Sequence, residues 1–506
     1  MTMSNIRGMR GFLASSVGVT CAAALALPLT PSAAVTAAGP ALGAEVATSG
    51  RTVDGPAVRQ EGAEPSVPGS TQSLPLAALN RDRDVGGPSE WGLSPRGVRH
   101  FSLVGVTWDA PDNELHGRVQ VRTRAAGTGA WSGWQDLDTH NGEHAADPGT
   151  DEPVSGRVRG STAPLWVGES DGVEVRVTAE AAGPRPDDGP EGEGEGEDED
   201  GVRGGGDDSA AHPEAAATLP VGLRLELVDP GEPAPEKADP AGAPRPGSLN
   251  PGTVETAEVL AASGANAELA PVGAVEIPAL GRAETERELL ALRGNELTEA
   301  QQAKPYIGPR PRIVTRRGWG ANERWRERRF AYTKKVKAAF VHHTATGSKY
   351  SCSQARSLIR GIYRYHVKSM GWRDVGYNFL VDKCGNIYEG RAGGVAKPVL
   401  GAHTLGFNSN SMGIAVLGSY GATRPTNASV KAVARLTAWK LGLYGANPRG
   451  KTYLTSGGGN LYRKGKNVRL NVISGHRDGY STACPGRQLY RKLGSARASA
   501  ARYQGR

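Results

Sequence analysis

The distribution of charge constrains this chain more than any single motif. Residues 309–506 hold 37 Lys and Arg against 6 Asp and Glu, a net of +31. The other 23 basic and 46 acidic residues give the first 308 a net of −23, a division that the overall +8 hides. A chain of 506 residues split this way reads as separately built parts, and 70 Gly with 34 Pro assign much of it to turns and linkers. No apolar run of about 18 residues follows the first forty, which excludes a polytopic membrane protein. Four Cys in this length exclude a small disulfide scaffold.

Residues 1–38 read as a secretory signal. Arg7 and Arg10 form the positive region, and Gly11–Leu29 is small and apolar, interrupted at Pro28 and followed by Pro31. Val35-Thr36-Ala37 then offers a small-x-small cleavage site. The expected location is extracellular or in a cell wall, with no stable membrane insertion. Cys21 leaves with the signal, so the mature chain keeps Cys352, Cys384 and Cys484. Two of these can pair in an oxidising compartment. The third is then an odd buried thiol, an intermolecular disulfide or a metal thiolate.

Residues 39–90 lack a hydrophobic period and read as disordered. Over 91–229 the pattern alternates, in Phe101–Trp108, Gly117–Arg124, Leu165–Val167, Val173–Val177 and Leu223–Leu227, which predicts an all-β, sandwich-like domain. Its tryptophans, Trp91, Trp108, Trp131 and Trp134, fit core packing or sugar stacking. An insert over 183–217 contains Asp187–Asp208, with 11 acids and one Arg, too charged to fold alone. Residues 230–308 read as a Pro/Ala/Glu-rich linker with one helical piece, Glu284–Gln302.

From 309 to 495 the pattern is α/β. Strands are expected at Ala338–Thr344, Tyr377–Asp382, Ile387–Tyr388, Met412–Leu417 and Val468–Ile473, and helices at Ser353–Met370 and Thr426–Leu443. That order fits a central mixed sheet flanked by helices. Residues 496–506 read as a basic tail.

Three features in this part carry chemistry. His342-His343-Thr344 ends a buried-looking strand, where alternate side chains face opposite ways, so one of the two histidines faces a given pocket. His476 and Cys484 lie eight apart across a loop, and Tyr377 lies in Val375-Gly376-Tyr377-Asn378-Phe379. Two imidazoles and a thiolate can hold a tetrahedral metal and leave its fourth position open for water.

Residues 309–490 resemble the peptidoglycan recognition protein family, which shares its fold with the zinc amidase of phage T7 lysozyme. The similar stretches include Ile313–Ala321, Phe340–Ala345, Gly371–Asp382, Gly385–Arg391, Gly401–Thr404, Asn408–Ile414 and the loop His476–Pro485. The resemblance implies a zinc-dependent N-acetylmuramoyl-L-alanine amidase with His342, His476 and Cys484 as metal ligands. Members that only bind the wall typically lack that Cys. It also implies catalytic roles for Tyr377 and, at the position where the phage enzyme has Lys, for Thr482. Cys352 and Cys384 correspond to a disulfide of the family, which leaves Cys484 for the metal. The groove is expected to take a muramyl sugar and stem peptide through His343, His366, Trp372, Arg391, His403 and Asn408. His366, Trp372 and Arg391 also fit structural roles.

The +31 is expected to meet anionic wall polymers. No nucleic-acid-binding signature accompanies it. The alternative function is a non-catalytic peptidoglycan-binding module. A third reading is a latent form in which the acidic front half covers the basic groove.

Overall fold

The computed structural model describes residues 69–79, 90–150, 158–180, 218–231 and 256–506. All of them belong to one compact unit, Pro65–Arg506. The signal and the acidic insert lie outside the described residues.

The N-terminal domain is an eight-stranded antiparallel sheet. Strand Ser70–Pro75 pairs with Arg224–Asp229, followed by Glu90–Trp108, Leu165–Ala179, Gly117–Ala125 and Gln135–Leu137. Alternation builds it: Val104 and Val106, Val119 and Val121, and Val173, Val175 and Val177 all turn inward to one core with Phe101 and Leu225. Burying each such side chain contributes about 1.5–3 kcal/mol. The two strands expected at 165–167 and 173–177 are one long strand. Its partner Glu90–Trp108 shifts register after Leu93 and Gly97, the mark of bulges that bend both. Trp108 is core, whereas Trp131 is exposed and Trp134 stacks under Arg176 at 4.2 Å. The disordered reading of 39–90 fails at Ser70–Pro75, which joins the sheet as an edge strand.

The C-terminal domain is a seven-stranded mixed sheet. Its order is Ile473–Gly475, Ala338–His343, Ser411–Val416, Phe379–Val381, Ile387–Glu389, Ile313–Val314 and Glu276–Ile277. Ala339, Val341, Ile414 and Val416 pack on helices Asn427–Gly442 and Leu493–Gln504. Leu380, Ala415 and Leu417 pack on helix Ala355–Arg364. The helix expected over 353–370 is broken into a 3-10 start, this α segment and a π turn, Tyr365–Ser369. The disulfide Cys352–Cys384 ties its start to the hairpin turn, 32 residues on.

Three sequence boundaries need correction. Residues 257–308 are no linker, because helices Ala257–Gly264 and Arg282–Arg293 and strand Glu276–Ile277 complete the C-terminal sheet and core. The tail 496–506 is helical through Gln504, with Ala496 and Ala500 buried; small residues at helical spacing hid it among arginines. The strand expected at 468–473 divides between a hairpin with Lys451–Thr455 and the main sheet.

The two domains pack closely. Leu103, Trp166 and Val228 of the N-terminal domain enter the core of helix Ala355–Arg364, so this helix is buried between the two sheets. Its polar side is paired in part across the interface: Arg360 donates to the carbonyls of Pro230 and Gly231, and Arg364 to Thr71 and the Gly69 carbonyl. Tyr365 donates to the Thr162 carbonyl at 3.1 Å. Gly105 makes that approach possible, since a Cβ there would meet the Tyr365 oxygen at 2.3 Å. No helix among the described residues is long and apolar enough to cross a membrane.

Candidate metal centre

Parallel pairing brings two histidines together. Val341 pairs with Gly475, so His342 and His476 follow side by side at the strand ends with ring centroids 4.5 Å apart. His342 is in register with Ala415 and takes that residue's face of the sheet, and His343 takes the other. The loop after His476 folds back through Arg477 N–H to the Cys484 carbonyl at 3.1 Å, and Thr482 Oγ1 accepts from Cys484 N–H at 3.0 Å. Cys484 Sγ then stands 3.8 Å from His342 Nδ1.

A fourth side chain reaches this point from the N-terminal domain. His144 ends a short 3-10 turn, Gly142–His144, and its Nε2 is 3.8 Å from Cys484 Sγ. One ligand atom from each of His144, His342, His476 and Cys484 fits within 4.8 Å, and all four residues are buried.

The donor set fits zinc. Tetrahedral zinc with Zn–N near 2.0–2.1 Å and Zn–S near 2.3 Å separates N from S by about 3.6 Å, close to the contacts found. Both ring nitrogens of His476 and Nδ1 of His144 are buried without a hydrogen-bond partner, a costly state that a metal would relieve for a coordinating nitrogen. His342 is braced on its far side by Thr404 Oγ1, 3.4 Å from Nε2, which turns Nδ1 inward. Burial lowers His342 and His476 far below the usual imidazole range, with neighbouring imidazoles adding to it, and lowers His144 to about 4. Neutral imidazole is the ligating form. Burial also raises the Cys484 thiol, and a cation at the centre would oppose that shift.

The other expected residues divide into two groups. Tyr377 is buried beside the cluster, its ring 5.6 Å from His342, and Thr482 Oγ1 donates to Glu143 Oε1 at 2.5 Å. His343 lies behind the strand end, accepting from Tyr420 N–H, with burial lowering it to about 4. His366 stacks on Trp372 at 4.6 Å and accepts from Gly376 N–H. Arg391 donates to the Val375 carbonyl, a loop-bracing role. His403 is fully buried against Thr404 and Ser411. Asn408 is also fully buried; it accepts from the His403 and Thr404 amides and donates to Ala145 and Asp147 of the N-terminal domain. Of these six, His343 and His366 line the narrow cavity beside the cluster, and the other four are engaged in the contacts just described.

Sequence reasoning missed His144 and Glu143. The signal available was Asp138, His140, Glu143, His144 and Asp147 within ten residues, in a β domain otherwise read for its alternation. Glu143 is raised to about 7, chiefly by burial, with the Thr482 hydrogen bond opposing.

A mixed α/β sheet with a buried imidazole–thiol cluster at its strand ends defines a domain built around a candidate metal centre. Residues 332–487 match the N-acetylmuramoyl-L-alanine amidase family, and residues 56–199 match the family described as Rv3811 N-terminal galactose-binding domain-like. The chain is 33% identical to peptidoglycan-recognition protein SC2 of Drosophila simulans over 183 residues, 36% of this chain and 84% of that protein. It belongs to the peptidoglycan-recognition protein family. An N-acetylmuramoyl-L-alanine amidase of Homo sapiens is 37% identical over 140 residues, 27% of this chain and 22% of that one. Among solved structures, peptidoglycan recognition protein-LE in complex with tracheal cytotoxin is 32% identical, with 36% of this chain and 92% of that chain covered and a TM-score of 0.28.

Proposed function

We propose that this protein is a secreted, zinc-dependent N-acetylmuramoyl-L-alanine amidase that hydrolyses the amide between N-acetylmuramic acid and L-alanine in peptidoglycan. The observation that carries this reading is Cys484 Sγ beside His342 and His476, a complete ligand set on one sheet edge. Zinc held there supplies Lewis-acid polarisation and an acidified water. The chain's own residues do the rest. His342, braced by Thr404, and His476 would hold the metal at the strand ends. Tyr377 offers a phenol O–H to the oxygen on which charge develops, in a site from which burial excludes bulk water. Thr482 holds the Cys484 amide and so sets the thiol's approach. The +31 of residues 309–506 favours approach to an anionic wall, and binding to the wall should weaken with added salt.

Mass spectrometry of purified peptidoglycan after digestion tests the bond cleaved. New free L-alanine N-termini, absent when a chelator removes the metal, are expected. Cleavage at any other bond, or chelator-resistant release, would overturn the proposal.

A further inference from the structure

The four-membered cluster has a consequence for whether the centre is open. Catalytic zinc sites keep one position for water, whereas sites with four protein ligands are closed. We infer that His144 is the fourth ligand, so that the N-terminal domain holds the amidase in a closed, latent form. The inference rests on the zinc reading above, and four observations carry it.

The first is position. The His144 ring is 4.6 Å from that of His476 and 5.4 Å from that of His342, and Nε2 stands as far from Cys484 Sγ as His342 Nδ1 does. The second is the space left. The cavity between the domains here, lined by Asn141, His144, Ala163, His343, Tyr377 and Cys484 among others, measures about 10 Å³. That is at the lower limit for one water and excludes any sugar.

The third is the clasp on either side of His144. The Glu143 carbonyl accepts from Leu405 N–H at 2.9 Å and its carboxyl from Thr482. Asp147 Oδ1 accepts from Gly406 N–H and from Asn408 Nδ2, both at 2.8 Å. The segment 143–147 thus occupies Thr482 and Asn408, residues the sequence assigns to catalysis and substrate. The fourth is the difference in support. His342 stands on a strand paired to the one that His476 directly follows, whereas His144 stands on a three-residue 3-10 turn of the other domain. A ligand carried by that turn is the one that undocking would displace. The plug is therefore a single histidine with an acidic clasp, Glu143 and Asp147, on either side.

X-ray absorption on the full zinc-loaded chain counts the ligands without using activity. The expected result is three imidazoles and one sulfur in the wild type. In His144→Ala, two imidazoles, one sulfur and one light oxygen are expected, with zinc still stoichiometric. His140→Ala, at an exposed position four residues away, should keep the wild-type count. Hydrolysis should rise in His144→Ala, by about tenfold if the docked site opens about a tenth of the time. Two imidazoles and a water in the wild type would overturn the inference, and that count decides even if His144→Ala misfolds. Absence of zinc from both chains would remove the metal reading and this inference with it. A count of three in the wild type without hydrolysis in either chain would support the closed centre and sink the amidase reading alone.

Discussion

The C-terminal domain contributes three of the four clustered side chains and the N-terminal domain one, and the two contributions are built differently. His342 and His476 stand on neighbouring parallel strands, and Cys484 on a loop that is hydrogen-bonded back to His476's neighbour, Arg477. Their positions follow from the sheet itself. His144 stands on a three-residue turn whose place depends on a neighbouring domain staying docked. The difference teaches that, with a metal at the cluster, affinity for it and access to it would be set by separate parts of one chain. The first belongs to strand register and the second to an interface.

Removing a ligand from each side should break this symmetry most visibly. Cys484→Ser is expected to weaken zinc binding by more than about a hundredfold, beyond the loss seen for outer-shell partners, and to abolish amide cleavage. Elemental analysis of the purified chain measures it. Retention of stoichiometric zinc in Cys484→Ser would mean that the thiolate is not needed to hold the metal. The contrast with zinc-retaining His144→Ala would then disappear.

The next effect concerns the helix that both domains share. Cys352–Cys384 closes a loop of 32 residues at the start of that helix. Replacing both with Ser should cost about 3–4 kcal/mol, mostly through the freed unfolded chain. Denaturant unfolding with and without reductant reads it. If the C-terminal domain loses stability while the N-terminal domain keeps its midpoint, the two fold as distinguishable units. One shared shift would mean that the interface couples them.

What the sequence made legible follows the same division. His342, Tyr377, His476 and Cys484 lie in stretches that the family resemblance matches motif by motif, and the structure brings them together at one sheet edge. The core stripe of helix Ala355–Arg364 was equally plain, because Leu358, Ile359 and Ile362 repeat at helical spacing. The burial of its opposite face has no local signal, since Arg360 and Arg364 are paired with carbonyls of another domain. The same holds for His403 and Asn408, which the family resemblance assigns to the groove and the structure buries. Gly413 and Gly401 leave space that the His403 ring fills, a long-range fit without local pattern. His144 was hidden for the stronger reason that nothing in its own domain explains it.

Docking can be loosened without touching the cluster. Gly105→Ala places a methyl against Tyr365, whose ring is fixed in the interface, and overpacking of this kind costs about 1–3 kcal/mol. Hydrogen exchange across 142–147 should accelerate, and amide cleavage should rise with zinc content unchanged. Unchanged exchange in Gly105→Ala would show that this contact does not hold the turn in place.

The smallest effect separates buried histidines from the cluster. His366 is held neutral, with its pKa lowered to about 3 mainly by burial and then by His144 and Arg391 nearby. Its Nδ1 accepts from Gly376 N–H, which a protonated ring could not do. Because the folded value lies below the unfolded one of about 6.5, the unfolded chain binds more protons as pH falls. The neutral ring's contribution is therefore full above pH 6.5 and is lost on acidification from there to about 3, at up to about 1.4 kcal/mol per unit. His403, also lowered to about 3 by burial, acts with the same sign from the C-terminal side, so the wild-type slope exceeds one proton. His366→Gln should remove about one proton from the slope of unfolding free energy between pH 4 and 6, whatever it does to the absolute stability. An identical slope in both chains would mean that His366 is not held neutral in the fold. The acid sensitivity would then belong to the other buried histidines, His403 among them.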